Sequence, residues 1–169
     1  MKRLSKKLIA LVMAMTMVLA VGVTSFAAET RTGNDDTCTV TFTINRKNGD
    51  EKTALVSNAI VVEVSVGQTV KDAVETKLSA YNPHFTDVYD DDDVYQYSYL
   101  DYMKIGDDEL ASAGTSTPSV PGDWTHGTYE GWDWEYYVDN VYAQDYMSSH
   151  VITGDCAIEL DYAYNSFSW

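Results

Sequence analysis

The chain has 169 residues, and its 26 Asp and Glu against 11 Lys and Arg give a formal net charge of −15 at pH 7. A field of this sign repels nucleic acid and anionic lipid, so these two classes of partner are excluded. The chain also carries 13 Tyr and 4 Trp, an aromatic content that is not typical of a disordered protein. Its length is that of one domain with a hydrophobic core.

The first 27 residues have the pattern of a secretory signal peptide. The basic residues at its start are Lys2, Arg3, Lys6 and Lys7. An apolar run over residues 8–23 follows, and then small residues at Ser25 and Ala27. We predict cleavage after Ala27, which makes the mature chain secreted and extracellular, with no membrane segment after cleavage. The alternative is an uncleaved anchor helix, since the apolar run is nearly long enough to cross a bilayer. Residues 28–37 predict a flexible N-terminal lead.

The next segments predict two strands and one helix. "CTVTFTI" from Cys38 and "AIVVEVSV" from Ala59 alternate in the way of half-buried strands. The "NGD" that begins at Asn48 predicts a turn between them. Thr69 is a suitable N-cap, and "VKDAVETKLSAY" after it has apolar residues at helical spacing. A helix is therefore predicted from Val70.

The second half predicts strands separated by loops. "YSYLDYMKI" from Tyr97 and "WDWEYYV" from Trp132 have strand character. A turn at Asp139-Asn140 and a short return follow the second, and a final strand follows Gly154. Loops are predicted over residues 86–96, which are acidic, and over residues 111–131, which are rich in Gly, Ser, Thr and Pro.

This order of elements predicts the fold. One helix that follows a strand pair packs most easily across one face of a mixed sheet. We therefore predict an α+β protein, with a single domain over residues 38–169. Its fold is expected to be a β-grasp-like mixed sheet with one helix packed across one face. In this layout the first and last strands lie side by side and parallel.

The two cysteines, Cys38 and Cys156, open the first and the last predicted strand. Parallel neighbours would place both at the same end of the sheet. In an exported protein we predict a disulfide between them, with two separately buried thiols as the alternative. No CxxC or histidine spacing supports a zinc site.

Three segments resemble a known family. They are "VVEVSVGQTVKDAVETKL", "GWDWEYYVDNVYA" and "YMSSHVITGDCAIELDYAY", and they are similar to the transcobalamin-like C-terminal domain family. The likeness rests on a strand, Gly-x-Thr-Val and helix, on a Gly-Trp before a hairpin, and on a Gly-Asp turn before an aromatic strand. The resemblance implies an extracellular β-grasp domain whose ligand is a corrinoid such as cobalamin. Asp139-Asn140 departs from the family, which has Asn-Gly in the hairpin, and residues 111–131 have a composition of their own.

The titratable residues do not predict catalysis. The three histidines, His84, His126 and His150, have no local nucleophile motif beside them, and neither cysteine stands in a catalytic motif. With 26 acidic residues, pairs of carboxylates at suitable spacing arise by chance. We predict that the protein is not an enzyme.

The acidic loop is a candidate calcium site, because Ca²⁺ takes several oxygen ligands. Its four consecutive carboxylates are Asp90, Asp91, Asp92 and Asp93. They lack the alternating spacing and the glycine of an EF-hand loop. A solvated acidic loop is the alternative.

Aromatic residues around the second half of the chain are the candidate binding residues. These are Trp124, His126, Tyr129, Trp132, Trp134 and Tyr136. The last three share one face of a strand, which is either core or a ligand surface. The first three lie in the predicted loop and give an exposed aromatic platform.

The predicted function is a monomeric, non-enzymatic binding module for a corrinoid or another small ligand. A neutral imidazole binds transition metals, so His126 is a candidate axial ligand of corrinoid cobalt, with a solvent-exposed histidine as the alternative. The rival function is a cell-envelope interaction module that binds protein or glycan through the same aromatic surface.

Overall fold

The computed structural model describes residues 37–169. The predicted signal peptide and nearly all of the predicted lead lie outside the described residues. Among residues 37–169, no helix has both the length and the apolar character that crossing a membrane requires.

The described chain consists mainly of strands. Those of the first half are β1 (Thr37–Asn48), β2 (Glu51–Ala54), β3 (Ile60–Ser65), β4 (His84–Tyr89) and β5 (Tyr95–Ile105). Those of the second half are β6 (Asp108–Ala111), β7 (Ala113–Val120), β8 (Asp123–Val138), β9 (Val141–Tyr142) and β10 (Cys156–Ser168). The helical elements are α1 (Val70–Lys77) and a short 3-10 helix (Ser79–Tyr81).

The strands form two sheets. The larger sheet has the order β2-β1-β10-β8-β7, with β3 also paired to β1 and β9 to β8. The smaller sheet has the order β4-β5-β6. The first and last strands, β1 and β10, are parallel neighbours in register from Val40 opposite Cys156 to Asn48 opposite Tyr164, which confirms the predicted pairing.

The predicted α+β class, with a helix across one face of a single mixed sheet, is wrong. Strands make up 63% of the described structure and helices 8%, and there are two sheets rather than one. The error came from the two predicted loops. Residues 86–96 contain most of β4 and the turn of the β4–β5 hairpin, and residues 111–131 contain all of β7 and the first half of β8. Small polar residues have a weak strand tendency of their own, and here pairing with a neighbouring strand overrides it.

The hydrophobic core lies on one face of β1 and β10. Along β1 the residues Val40, Phe42 and Ile44 are buried, because alternate side chains point to the same face. Leu160 of β10 and Val74 of α1 belong to the same buried cluster.

Helix α1 begins after Thr69 as its N-cap, as the sequence predicts, and the structure shows that the cap is a capping box. The Thr69 hydroxyl accepts from the Asp72 amide at 3.1 Å, and the Asp72 carboxylate accepts from the Thr69 amide at 3.2 Å. These two bonds satisfy amides that have no partner within the helix.

The predicted turn at Asp139 and Asn140 is also present. Both residues have positive φ, 50° and 65°, as a two-residue hairpin turn of the primed type requires. Asp and Asn tolerate this backbone better than other residues with a side chain. The Asp139 carboxylate also accepts from the Ala157 amide at 2.9 Å, so the turn is fastened to β10.

Cys38 and Cys156 lie at the same end of the sheet, but Cys156 stands opposite Val40, two residues further along β1. Strand geometry therefore separates the two cysteine Cα atoms by about 8 Å, more than the roughly 4.4–6.8 Å that a disulfide spans. No disulfide is formed within the described residues, and burial raises the pKa of Cys156 to about 11. The disulfide stays a prediction, and the strand offset is a physical argument against it.

A close backbone approach between β7 and β8 requires glycine at position 131. A Cβ added to Gly131 would lie 2.4 Å from the Gly114 Cα and 2.7 Å from the Ala113 carbonyl oxygen. We expect Gly131→Ala to lower the free energy of unfolding by about 1–3 kcal/mol, because backbone atoms must move apart. The measurement is urea unfolding beside Gly154→Ala, whose new Cβ meets nothing within 4 Å. Equal midpoints for the two variants would contradict this account of Gly131.

Candidate functional site

A cleft of about 320 Å³ opens between β5, β8 and the segment that follows β9. Its base includes Leu100 and Met147, both buried members of the hydrophobic core. Tyr99, Tyr142 and Tyr146 line it as well, and their side chains are exposed. The cleft therefore combines an apolar base with an aromatic rim, a combination typical of small-ligand sites. We call it the tyrosine cleft.

Two of the rim tyrosines are held by other rings. Tyr146 stacks on Tyr97 with ring centroids 3.6 Å apart and planes inclined by 6°. Tyr142 makes an edge contact with Tyr137 at 5.4 Å. Tyr146 is 45% exposed and Tyr142 50%, so each presents part of its ring to solvent while neighbours restrict its motion. A ring held in this way loses little conformational entropy when a ligand binds.

Two of the predicted binding residues, Trp134 and Tyr136, line the cleft from β8. The Trp134 indole nitrogen donates to the Leu110 carbonyl at 3.1 Å. The Tyr136 hydroxyl donates to the Asp145 carbonyl at 2.5 Å, and burial raises the pKa of Tyr136. The phenol therefore stays protonated at neutral pH and keeps the segment after β9 in place.

The cleft also offers polar groups. Gln144 and Asp145 line it, and they supply amide and carboxylate atoms. In addition, β8 has an open stretch of edge here, because its pairing with β7 ends at Trp132 and its pairing with β9 begins at Tyr137. Apart from the Tyr136 carbonyl, which accepts from the Ala143 amide at 3.1 Å, the backbone groups on this stretch of edge are not part of a strand pair.

A buried serine at the cleft, Ser98, lies beside a lysine, as the serine of a Ser–Lys catalytic dyad does. The lysine here is not able to act as its base. Lys71 donates to the Ser98 hydroxyl at 3.0 Å, and Ser98 in turn donates to Asp87. Burial lowers the pKa of Lys71, but the contacts and charge of Asp87 outweigh that effect and raise it overall. A protonated lysine that donates to the serine cannot act as its base. The network ties α1 to the β4–β5 hairpin.

The six predicted binding residues do not form one surface. Trp132 stacks on Tyr162 of β10, with ring centroids 5.0 Å apart, in the half-buried row that the strand period predicts. Tyr129 lies on the opposite face of β8 from Trp132 and pairs with Phe167. Its hydroxyl donates to Asp133 at 2.6 Å.

The remaining two, Trp124 and His126, lie near the tip of the β7–β8 hairpin and are exposed. His126 contacts the Thr125 hydroxyl at 3.1 Å through Nδ1 and does not line the tyrosine cleft. The predicted platform is therefore divided between the cleft, the far face of β8 and the hairpin tip.

The acidic turn does not gather its carboxylates. Asp90 accepts from the amides of Asp92 and Val94 and from the Gln96 side chain. Asp90 is thus used to close the turn between β4 and β5. Across residues 37–169, no group of three or more His, Cys, Asp or Glu is arranged to hold a metal ion. The predicted calcium site has no geometric support.

Sequence reasoning missed the three rim tyrosines. Tyr99 was predicted in a strand and Tyr142 in a short return, but nothing in the sequence indicates that they meet at one cleft. The available signal was the dense tyrosine spacing of "YQYSYLDY" and "VYAQDY".

Comparison with known proteins does not extend the family resemblance. No protein-family model matches the chain, and no curated protein matches it. The transcobalamin-like assignment remains a hypothesis drawn from the three sequence segments.

Proposed function

We propose that this chain is a non-enzymatic binding module that holds one sugar ring of a glycan in the tyrosine cleft. The observation that supports this most is the rim of partly exposed tyrosines, Tyr99, Tyr142 and Tyr146, around a buried apolar base. An aromatic face covers the C–H face of a pyranose, while nearby polar groups bond its hydroxyls. The predicted signal peptide agrees with an extracellular glycan as ligand.

The size of the cleft favours a sugar ring over a corrinoid. Its volume of about 320 Å³ lies at the lower end of the roughly 300–1,000 Å³ of small-ligand pockets. A corrin macrocycle with its side chains is much larger than one pyranose. The candidate cobalt ligand, His126, lies outside the cleft, so the corrinoid proposal would need a second surface at the hairpin tip.

The negative charge of the chain limits the sugars that we expect it to bind. The net charge of −15 and the Asp145 residue that lines the cleft disfavour uronic acids, sialic acids and phosphosugars. We therefore propose a neutral or amine-bearing pyranose.

The test is ligand-observed NMR with the methyl glycosides of glucose, N-acetylglucosamine and glucosamine, followed by titration of those that bind. Tyr142→Ala and Tyr146→Ala are each expected to weaken binding about tenfold, a loss of roughly 1.4 kcal/mol. This is the upper part of the range for an aromatic contact.

Trp124→Ala is the matched control, because Trp124 is an exposed aromatic residue (59%) away from the cleft. Its sugar affinity should equal that of the wild type. An equal loss in this control, or no sugar binding at millimolar concentration, would refute the proposal. Binding of aquocobalamin with a spectral change that His126→Ala removes would favour the corrinoid function instead.

A further inference from the structure

A buried carboxylate lies on the side of the larger sheet away from the core. Asp161 of β10 is 0% exposed, and strand alternation points it away from its core neighbour Leu160. Its Oδ1 accepts from the Asn45 amide at 2.9 Å. Its Oδ2 has no hydrogen-bond partner among the described residues.

The amine of Lys52 approaches that oxygen. Lys52 Nζ lies 2.7 Å from Asp161 Oδ2, in a close approach that does not have the alignment of a hydrogen bond. The same amine also contacts the carboxylate of Glu159, and the Tyr137 ring centroid lies 5.2 Å from it. One amine, one buried carboxyl group and a second carboxylate are therefore gathered at one point, next to an aromatic ring.

The geometry points to an intramolecular amide bond between Lys52 and Asp161. Lys52 belongs to β2 and Asp161 to β10, and β1 lies between these two strands. The bond would thus pass over β1 and join β2 to β10, two strands that are not neighbours in the sheet. This inference concerns a site separate from the tyrosine cleft and does not depend on the proposed function.

The reaction is a condensation that needs no oxidant or reductant. A proton first passes from the Lys52 ammonium to the Asp161 carboxylate, which gives a neutral amine and a carboxylic acid. The amine nitrogen attacks Asp161 Cγ, the C–N bond forms, and the C–O bond breaks. The proton that leaves nitrogen passes through Glu159 to the departing oxygen, and one water molecule is released.

Two physical factors act on the rate. Holding the amine beside the carboxyl group replaces a collision between two molecules by a step within one, which favours condensation strongly. The second factor slows the reaction, because the Lys52 amine is mostly protonated and a protonated amine does not attack a carboxyl carbon. Burial lowers the pKa of Lys52, but contacts with Asp161 and Glu159 outweigh that effect and raise it overall. We therefore expect a slow reaction that occurs once per chain after folding.

The test is mass spectrometry of the purified, denatured chain, compared with the mass calculated from its own N-terminus. The expected result is a mass lower by one water molecule. Trypsin should then release a branched peptide that joins residues 48–71, with Lys52 uncleaved, to residues 105–169. Lys52→Arg and Asp161→Ala should have the full calculated mass, and Glu159→Gln should lose water at least tenfold more slowly.

The neighbouring pair Lys47 and Glu135 provides the matched control. Its nitrogen and oxygen lie 3.1 Å apart, but the Glu135 side chain is 16% exposed, and Lys47 is not in contact with a fully buried carboxyl group. Lys47→Arg should therefore leave the loss of water unchanged. A wild-type chain with the full calculated mass after prolonged incubation in the folded state would overturn the inference. So would a branched peptide that contains Lys47 instead of Lys52.

Discussion

Phe42→Ala is expected to lower the free energy of unfolding by about 3–5 kcal/mol. Phe42 is completely buried, opposite Ile158 of β10 and Ile60 of β3. The truncation removes apolar contacts on both sides and leaves a cavity at the centre of the sheet, where paired strands restrict collapse. A domain of this size has a stability of only about 5–15 kcal/mol, so a large part of it would be lost.

Urea unfolding followed by tryptophan fluorescence measures this effect. Val61→Ala is the control, because Val61 lies in a strand paired to β1 but is 64% exposed. Val61→Ala should lower the free energy of unfolding by no more than about 0.5 kcal/mol. A Phe42→Ala loss below about 1 kcal/mol would mean that the centre of the larger sheet is not packed as described.

Lys52→Met is expected to have a free energy of unfolding about 3 kcal/mol lower than that of Lys52→Arg. The arginine form keeps the positive charge beside Asp161 and cannot form the proposed amide, so this comparison isolates the charge. Removing one partner of a buried ion pair leaves the other uncompensated, at a cost of about 3–5 kcal/mol. We expect the lower end of this range, because only one partner is fully buried: the Asp161 side chain is 0% exposed, whereas that of Lys52 is 38% exposed.

A second substitution checks the physical cause. Lys52→Met combined with Asp161→Leu should recover at least half of the loss, because an apolar pair of similar size removes the uncompensated charge. The readout is again the midpoint of urea unfolding at neutral pH. If the double variant were less stable than Lys52→Met alone, the hydrogen bond from Asn45 to Asp161 would be the main contribution of that carboxylate.

Features that depend on neighbouring residues were predictable from the sequence. The N-cap at Thr69 and the turn at Asp139 each involve residues within a few positions of one another, so residue type and spacing indicate them directly. The alternation of "CTVTFTI" also predicted the strand β1, whose burial pattern alternates over most of its length. The parallel pairing of β1 with β10 followed from the order of elements.

Features that depend on distant pairing were not predictable. Residues 113–120 look like a loop by composition, and they form a strand only because β8 lies beside them. The tyrosine cleft needs Tyr99 and Tyr142 from different strands at one place, and neither position is unusual in its own segment.

By itself, the sequence determined the net charge, the helix with its cap, the tight turns, and the strands with a clear period of two. Only the tertiary structure decided the β-rich class, the place of the tyrosine cleft, and the meeting of Lys52, Glu159 and Asp161. The physical reason is the range of the interactions. Caps and turns are set by bonds within a few residues, whereas a strand edge, a cleft or a buried ion pair exists only when segments far apart in the chain are brought together.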